Sequence, residues 1–470
     1  MGLGIDVTFA IAPELGSQVL RRSLARGGDL AELFAEDRHS LSMRLEDGKI
    51  ENAVSGTDRG ASLRLIRGLS TAFGYVETVD EASLLSLADG LSRAREGTPG
   101  DVPQLVAPPA RPRFWVDRDP ALVGAERKAE LLQAVDSTAR SMSGEVRQVI
   151  AGYAESRQKV WVANSNGVTA VDDRTRVMIS VTVMAQRGDL LQTGRETLAH
   201  HGGFELFDED AVIQLARDAT RKALAMLDSV PAPAGRMPVI LANGFGGVLF
   251  HEACGHGLEA DYVLKKTSVW EGKKGQRVAS PEVFAYDDGV SIGMWGSNGC
   301  DDEGTPSERT TLIEEGILTG YLTDRLRGTH LGLPLTGNGR RQDFRHIPYP
   351  RMTNTYFGLG NHAAEEIIAD TKRALYAKTL SGGEVNPATG DFVFGVAEGY
   401  LVEGGKVGPA VRGATLIGNG PEVLRGIDAI ADDLDVKAGM CGKEGQHVPV
   451  GSGQPTLRIR ELTVGGTSLS

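Results

Sequence analysis

Glycine is the residue that most limits how this chain can fold, because its 61 copies among 470 residues are about twice the usual share. The glycines follow no collagen period and become denser after about residue 230. There they separate short apolar runs, as in GNGRR, LSGGEVNPATG and VEGGKVGPAVRGATLIGNGP. Glycine is typical of the turns and bulges that join short strands. The pattern therefore predicts that the C-terminal half is predominantly β.

The first half has a different pattern, in which helical stretches alternate with strand-like segments. Segments such as SLSMRLEDGKIENAV and GASLRLIRG predict strands joined by tight turns. Three prolines in DSVPAPAGRMP end the preceding helix and force extended backbone. Since 470 residues exceed the usual size of one core, we predict an α+β fold of two domains, residues 1–230 and 231–470. Helices are expected at residues 13–26, 81–95, 124–140 and 208–227, and the proline-rich residues 99–112 are interpreted as a connection inside the first domain.

The charge balance limits the partners of this chain. With 50 Lys and Arg against 62 Asp and Glu, the formal net charge is −12 at pH 7. Nucleic-acid binding depends on basic side chains that neutralise phosphates, so no general affinity for nucleic acid is expected. The densest basic cluster, Arg340, Arg341 and Arg345, is interpreted as a solvated or ion-paired face.

Neither a membrane segment nor a secretory signal is predicted. The apolar runs fall far short of the roughly 20 residues that cross a bilayer. The N-terminal stretch MGLGIDVTFAIAPELGSQVL has no basic start and no small-residue cleavage site. Three scattered cysteines, Cys254, Cys300 and Cys441, are too few for a disulfide framework and fit a reducing compartment. We therefore expect a cytoplasmic protein without membrane attachment.

The motif that carries chemistry follows the short apolar segment PVILAN. The run GFGGVLFHEACGHGLEADYVL contains His251, Glu252 and His256 in an HExxxH arrangement. Two imidazoles beside a carboxylate supply nitrogen ligands for a catalytic zinc ion and a base for its water. The histidines are one residue further apart than in HExxH, and a regular helix would rotate the second by about 140°. Because Gly255 and Gly257 flank His256, we predict a π turn or the end of the helix here.

Residue types and spacing leave the third metal ligand open. A peptidase site requires three protein ligands and one open position for water. Cys254 and Glu259 each follow one of the histidines by three residues. Cys441 lies in DVKAGMCGKEGQ, where Lys443 could favour its thiolate, although a free cysteine is more often a small buried hydrophobic residue.

Two further polar clusters are interpreted as structural. PRMTNTY, residues Pro350 to Tyr356, offers Arg351 and Asn354 as donors to a substrate, but a turn between strands is the preferred interpretation. The acidic run DDE at residues 301–303 lacks the alternating ligand spacing of a calcium loop. We expect this run to be a solvated turn.

Several segments together resemble the TldD/PmbA peptidase family, and specifically its metal-bearing TldD type. They extend almost from end to end and include ENAVSGTDRGASLRLI, HEACGHGLEAD, DDEGTPSERTTLIEEGILTGYLTD, PRMTNTY, GDFVFGVAEGYLVEGGKVGPAVRGATLIGNG and GMCGKEGQHVPVGSGQPTLRI. The resemblance implies a zinc metallopeptidase with one Zn²⁺ per chain, held by His251, His256 and Cys441, and with Glu252 as the catalytic base. Residues 231–470 would then be a β-rich metallopeptidase domain that carries the metal-site helix.

The resemblance also implies a substrate and a partner. The substrate would be a short or unfolded peptide admitted through a restricted passage. The active form would be a dimer, either of this chain with itself or with a TldE/PmbA-like chain. The side chains that bind the substrate are not identified by the sequence.

Two other functions are compatible with parts of the sequence. The first is a non-catalytic regulator that binds a partner protein, because related chains have been described as modulators of DNA gyrase. The second is a redox or structural zinc protein, in which Cys254 or Cys300 joins Cys441 in a closed site without a water position. The complete HExxxH motif favours the enzyme, because a binding protein does not need the glutamate base.

Overall fold

Long antiparallel strands form the N-terminal half of the molecule. The computed structural model describes residues 11–93, 98, 100–106, 114 and 116–467. In these residues the strands are β1 (Leu30–Glu46), β2 (Lys49–Arg67), β3 (Ser70–Val76), β4 (Val146–Asn164), β5 (Thr169–Arg187) and β6 (Leu190–His201). They form one sheet in the order β3-β2-β1-β4-β5-β6, and every neighbouring pair is antiparallel. The turn between β1 and β2 contains Asp47 and Gly48 with φ angles of 47° and 78°, as two-residue hairpin turns require.

Helices cover one face of this sheet. They are α1 (Pro13–Ser23), α2 (Glu81–Ser92), α3 (Ala125–Met142) and α4 (Glu209–Leu227). Because successive side chains on a strand point to opposite faces, odd-numbered residues such as Leu33 and Val181 pack against these helices. The sequence predicts all four helices, with ends that differ by a few residues. Half of the proline-rich connection at residues 99–112 lies outside the described residues.

The other face of the N-terminal sheet packs against the C-terminal half. Its even-numbered residues include Phe34 and Val162, which form a small apolar cluster with Phe344 from the C-terminal half. Gly60 on β2 lies against the same ring, and a Cβ at this position would overlap the Phe344 side chain. Charged residues occupy other positions of this face, and they are buried: Glu32, Glu36, Arg64, Arg174 and Arg176.

The C-terminal half is predominantly β, as the glycine pattern predicts. Its strands are β7 (Val230–Pro231), β8 (Gly235–Leu241), β9 (Ala285–Asp288), β10 (Arg309–Glu314), β11 (Ile317–Leu318), β12 (Gly339–Arg340), β13 (Tyr349–Pro350), β14 (Asn354–Phe357), β15 (Arg373–Val385), β16 (Asp391–Glu403), β17 (Lys406–Arg412), β18 (Thr415–Asn419), β19 (Ile427–Ile430), β20 (Asp435–Lys443), β21 (Gln446–Gln454) and β22 (Leu457–Gly465). One sheet has the order β11-β10-β9-β14-β21-β20, and a larger one has the order β15-β8-β22-β18-β16-β17-β7, with β19 paired to β22. The main apolar core of this half lies between these sheets and the segments that connect them.

Only short helices are described in the C-terminal half. They are α5 (Val248–Phe250), α6 (Ala260–Leu264), α7 (Arg325–Leu331), α8 (Ala364–Ala369) and α9 (Gly420–Gly426). The mixture of a helix-covered antiparallel sheet and a β-rich half is an α+β fold, which confirms the predicted class. Among the described residues, no helix has the length and apolar character needed to span a membrane.

The interface between the halves corrects one expectation from the sequence. Asp301, Asp302 and Glu303 are not a solvated turn, because all three are buried. Asp302 pairs with Arg174 (2.7 Å) and Glu303 pairs with Arg64, both from the N-terminal sheet. Asp302 and Glu303 can be buried because arginines that lie far away in the sequence neutralise them. Asp301 instead accepts hydrogen bonds from the backbone N–H groups of Glu303, Thr305 and Gly339.

The basic cluster lies at the same interface. Arg341 is buried and pairs with Glu32 (2.7 Å), and Arg345 pairs with Asp58 (2.8 Å). Arg340 is also buried. The cluster is therefore not a solvated patch for nucleic acid, and two of its three arginines are ion-paired.

Candidate metal centre

The HExxxH segment is held between β8 and α6 by a close backbone approach. After β8 the chain makes a tight turn at residues 245–247 and enters the three-residue helix α5. A Cβ at Gly247 would lie 2.5 Å from the backbone N and O of Gly453 on β21. Only glycine allows the turn to approach the strand this closely.

A π-helical turn brings the two histidines together. Residues His251–Gly255 form a π-helix, in which the backbone N–H of His256 donates to the carbonyl of His251, five residues earlier. The additional residue in this turn compensates for the spacing of five, so that both imidazoles lie on one side. Their ring centroids are 5.1 Å apart, with the ring planes nearly perpendicular. The predicted departure from a regular helix is present.

Cys441 reaches the histidines from a distant part of the chain. It lies on β20, opposite Val448 of β21. One potential ligand atom from each of His251, His256 and Cys441 lies within 4.8 Å of the other two. The three side chains are buried, and the Cys441 Sγ lies 3.4 Å from Nε2 of His256.

A buried ionic network contacts the imidazole of His256 at Nδ1, on the side away from Cys441. Its Nδ1 lies 2.9 Å from a carboxylate oxygen of Glu259. Lys443 donates to the same oxygen of Glu259 (2.8 Å) and to Asp261 (2.6 Å). A hydrogen bond from Nδ1 to a carboxylate fixes the orientation of an imidazole and leaves Nε2 for a metal. The network therefore orients Nε2 toward Cys441.

The electrostatics of the site favour a thiolate. Burial by itself would raise the pKa of Cys441, but the imidazoles of His256 and His251 hold it well below its ordinary value. Burial would likewise lower the pKa of His256, but the charges of Glu259 and Cys441 raise it well above its ordinary value. A thiolate is the form of cysteine that binds metals.

Glu252 is the most accessible side chain of the motif. Its side chain is 31% exposed, and its carboxylate lies 3.7 Å from Nε2 of His256. A carboxylate beside the potential ligand atoms and still in contact with solvent is suitably placed to exchange a proton with a water molecule there.

The other residues considered from the sequence lie outside the ligand group. Cys254 is part of the main apolar core, and burial raises its pKa. Cys300 is buried at the interface between the halves, where its carbonyl accepts from Arg174. Glu259 contacts His256 but does not belong to the three-residue group. Lys443 binds Glu259 and Asp261 instead of the thiol.

PRMTNTY has a structural role next to the site. Arg351 is buried and donates to the carbonyl of Cys441 (2.6 Å). Asn354 is also buried and bonds to the backbone of Gly296 and Asp288. Sequence analysis missed Asp261 and the contact from Arg351, because neither residue has a local pattern that distinguishes it from an ordinary ion pair or turn.

The donor set fits zinc. Two imidazoles and a thiolate are ligands that Zn²⁺ prefers, and three protein ligands leave one position for water. Nδ1 of His251 is buried and has no hydrogen-bond partner in the part of the chain that the structure describes. A metal ligand is one of the few reasons to bury polar nitrogen and sulfur atoms together in this way.

Family models match successive parts of this chain. They are described as PmbA/TldA metallopeptidase domain 1 at residues 31–96, central domain at residues 118–227 and C-terminal domain at residues 234–466. The fold and the candidate site thus agree with a class of metallopeptidases. The chain belongs to the TldD/PmbA family.

Two curated relatives have names of the same kind. The metalloprotease TldD homologue of Haemophilus influenzae is 40% identical over 94% of each chain. The zinc metalloprotease TldD homologue of Saccharolobus solfataricus is 28% identical over 94% of this chain and 99% of its own. The names of these relatives support a peptidase with a metal cofactor.

Solved structures show the same fold at low sequence identity. TldE from Thermococcus kodakarensis has a TM-score of 0.77 and 18% identity over 96% of this chain and all of its own. A candidate modulator of a DNA gyrase from Thermotoga maritima has a TM-score of 0.79 and 19% identity over 93% of this chain and 96% of its own. At these identities the two structures establish the fold alone.

Proposed function

We propose that this chain is a zinc-dependent peptidase that holds one zinc ion per chain through His251, His256 and Cys441. The observation that supports the proposal is the buried group of two imidazoles and a thiol, whose potential ligand atoms lie within 4.8 Å of one another. Glu252 lies beside this group with a partly exposed carboxylate. A protein that only binds a partner does not need this glutamate base.

Each side chain has a defined part in the proposed hydrolysis. Zinc held by His251, His256 and Cys441 would supply a Lewis acid and a more acidic water at this site. Glu252 accepts a proton from the attacking water and returns it to the leaving amine. Glu259 keeps Nδ1 of His256 engaged, so that Nε2 stays available as a ligand.

The proposed substrate is a short or unfolded peptide. Among the described residues β20, which carries Cys441, is the outermost strand of its sheet. An extended peptide can pair with such an edge through backbone hydrogen bonds, with little dependence on its sequence. Met440, next to Cys441, is exposed and offers apolar contact on the same strand.

The proposed assembly is a dimer, of this chain with itself or with a TldE/PmbA-like chain. The resemblance to the TldD/PmbA family, which implies such a dimer, supports a partner of this type. The proposed location is the cytoplasm, in keeping with three cysteines that are all free in the structure.

The test is metal content measured together with peptide hydrolysis. Purified wild-type protein, His256→Ala and Cys441→Ala are analysed by mass spectrometry for metals, with Cys254→Ala as the matched cysteine control. The same samples are incubated with an unstructured peptide. We expect about one zinc per chain in wild type and Cys254→Ala, and loss of both zinc and hydrolysis in the other two variants.

Other outcomes would reject specific parts of the proposal. Zinc that persists in Cys441→Ala would remove Cys441 from the ligand set. Zinc that is lost in Cys254→Ala would favour a closed structural site. A wild-type protein without metal and without hydrolysis would favour the regulatory function instead.

A further inference from the structure

A cavity of about 300 Å³ lies between the two halves of the molecule. Strands β1, β4 and β5 line one side, and segments of the C-terminal half, including the β20–β21 hairpin, line the other. Ser40, Met440 and His447 are exposed where they line it, whereas Arg176 and Arg340 are buried, with 4% and 3% exposure. None of the three candidate metal ligands lines this space. The cavity is therefore distinct from the metal centre, although it lies next to it.

The cavity has an excess of positive charge. Apart from His447, its ionisable lining residues are Arg38, Arg174, Arg176, Arg340, Arg341, Glu155 and Asp302. Most of these are paired, in the ion pairs Arg38–Glu36 (2.8 Å), Arg174–Asp302 (2.7 Å), Arg341–Glu32 (2.7 Å) and Glu155–Lys128 (2.7 Å). Of the seven residues, only Arg176 and Arg340 have no carboxylate within 4.0 Å in the part of the chain that is described.

Neutral acceptors alone hold these two guanidinium groups. Arg176 donates to the carbonyls of Trp295 (2.8 Å) and Ser297 (3.0 Å) and to the side-chain oxygen of Asn298 (2.7 Å). Arg340 donates to the carbonyls of Met352 and Pro449, the latter at 2.7 Å. These bonds position both groups firmly but do not neutralise their charge.

Two buried cations that contact no carboxylate are costly to the fold, even though the charges of Asp302 and Asp172 offset part of the effect of burial. Burial lowers the pKa of Arg340 to about 10, and burial together with neighbouring Arg174 lowers the pKa of Arg176 well below its ordinary value. Arginine nevertheless stays protonated at neutral pH because its pKa starts above 12. An anion in the cavity would supply the missing negative charge, and Arg176 and Arg340 would bind it through charge-assisted hydrogen bonds.

We propose that this cavity binds a carboxylate group, and that Arg176 and Arg340 are the residues that recognise it. The source of the carboxylate rests on the peptidase function proposed above. Met440 and Pro449 line the cavity, and Met440 precedes Cys441 on the strand. Since consecutive Cα atoms are about 3.8 Å apart, a peptide paired with β20 near the metal would reach the cavity within a few residues. Its C-terminal carboxylate is then the group that enters.

The experiment measures binding without hydrolysis. The full-length Glu252→Gln protein is titrated into two fluorescein-labelled unstructured peptides of the same sequence, one with a free C-terminal carboxylate and one with a C-terminal amide. We expect the free carboxylate to bind about 10- to 100-fold more tightly, the range of a charged hydrogen-bonded contact. Adding Arg176→Met should reduce this preference to about 3-fold or less without changing the affinity for the amide.

Two further variants control for effects on the fold. Arg176→Lys keeps the charge but loses the planar fork, so it should retain part of the preference. Arg345→Met removes an arginine from the same interface that does not line the cavity, and it should retain the full preference. Circular dichroism and thermal melting establish that each variant is folded.

A free small carboxylate is the other source of the same chemistry. Succinate is therefore titrated alone, with the fluorescence of Trp295, which lines the cavity, as the signal. Binding of succinate that depends on Arg176, with equal affinity for both peptides, would support the cavity and assign it to a free carboxylate. Equal peptide affinities without succinate binding, or a preference that survives in folded Arg176→Met, would overturn the proposal. Failure of the peptidase function would be visible separately, as absent zinc or absent hydrolysis in the wild type.

Discussion

Glu259 decides which nitrogen of His256 faces the other ligand atoms. Its carboxylate contacts Nδ1 at 2.9 Å and is itself held by Lys443 at 2.8 Å. Burial by itself would raise the pKa of Glu259. The positive charges of Lys443 and His256 outweigh this effect and lower the pKa to about 2. The ionised carboxylate can therefore accept a hydrogen bond from Nδ1–H of His256 throughout the physiological pH range.

Replacing Glu259 should weaken zinc binding without removing any proposed ligand. Glu259→Gln keeps the shape but loses the charge, and loss of such a supporting carboxylate typically lowers metal affinity about 10- to 100-fold. Competition with a zinc chelator measures the change. The exposed Glu282→Gln serves as the matched control and should keep wild-type affinity. Unchanged affinity in Glu259→Gln would show that the network does not position His256.

Replacing Glu252 should separate chemistry from metal binding. Glu252→Gln removes the proposed base but none of the three proposed ligands, so zinc content should stay at the wild-type level. General-base catalysis contributes about 10²- to 10⁴-fold to rate, and kcat for an unstructured peptide should fall by this amount. A variant with normal zinc and normal turnover would contradict the assignment of the base.

At the scale of elements, the metal centre depends on the turn that leads into the π-helix. Gly247 immediately precedes α5 and lies against the backbone of Gly453 on β21. Strand β21 is also the partner of β20, which carries Cys441. The turn thus fixes the two histidines relative to the thiol.

Gly247→Ala should disturb both stability and the metal site. The new Cβ would lie 2.5 Å from backbone atoms of Gly453, which cannot rotate away, so an overpacking cost of about 1–3 kcal/mol is expected. Zinc content should fall as well, because α5 must shift. Gly90→Ala on α2 meets open space and should be neutral or slightly stabilising. Urea unfolding and metal analysis of both variants check these outcomes.

The sequence predicts the irregular turn but not the complete site. Two histidines five positions apart cannot share one face of a regular helix, so the spacing predicts either a π turn or the end of the helix, and the π turn is present. Cys441 has no local pattern that marks it as a ligand, because strand pairing brings it to the histidines from 185 residues away. Only the family resemblance pointed to it. The supporting contacts of Lys443 and Arg351 likewise depend on tertiary packing.

At the scale of the whole molecule, a layer of buried charge joins the two halves, on either side of the domain boundary we propose at residue 230. Arg64 and Arg174 from the N-terminal sheet meet Glu303 and Asp302 from the other half. The sequence predicts a solvated turn for the acidic run because local composition cannot reveal partners that come from another half of the chain. The α+β class was predictable, since it follows from local periodicity and glycine content.

This layer makes stability depend on pH through Glu36. Burial raises its pKa to about 7, an effect that Arg38 opposes and that Asp343 and Asp302 reinforce. An acid with a raised pKa in the folded state favours folding at low pH, and this contribution is lost as the pH rises from about 4.5 to about 7. Since each pH unit corresponds to about 1.4 kcal/mol, the contribution is up to roughly 3 kcal/mol.

In the wild type, the Glu36 contribution to the free energy of unfolding is lost between pH 4.5 and pH 7. Glu36→Gln should therefore make the free energy of unfolding fall less steeply over this range. Asp58 provides a contrast at the same interface, because its hydrogen bond with Arg345 lowers its pKa. Asp58→Asn should lower stability by a constant amount above the ordinary pKa of the carboxyl, remove the loss of this contribution in acid, and leave the slope above pH 4.5 intact. Urea unfolding across this pH range distinguishes the two variants. An unaltered slope in Glu36→Gln would exclude Glu36 as its origin.

The long separation between His256 and Cys441 in the sequence also means that the proposed metal ligands are synthesised at different times. During synthesis on the ribosome both histidines emerge and their helical segment can form while residue 441 has not yet been added to the chain. A nascent protein at that stage holds two of the three proposed ligands and lacks the strand beside which a peptide would lie. Hydrolytic capacity would thus arise late in translation, and a growing chain would not be exposed to its own active centre or to that of an unfinished neighbour.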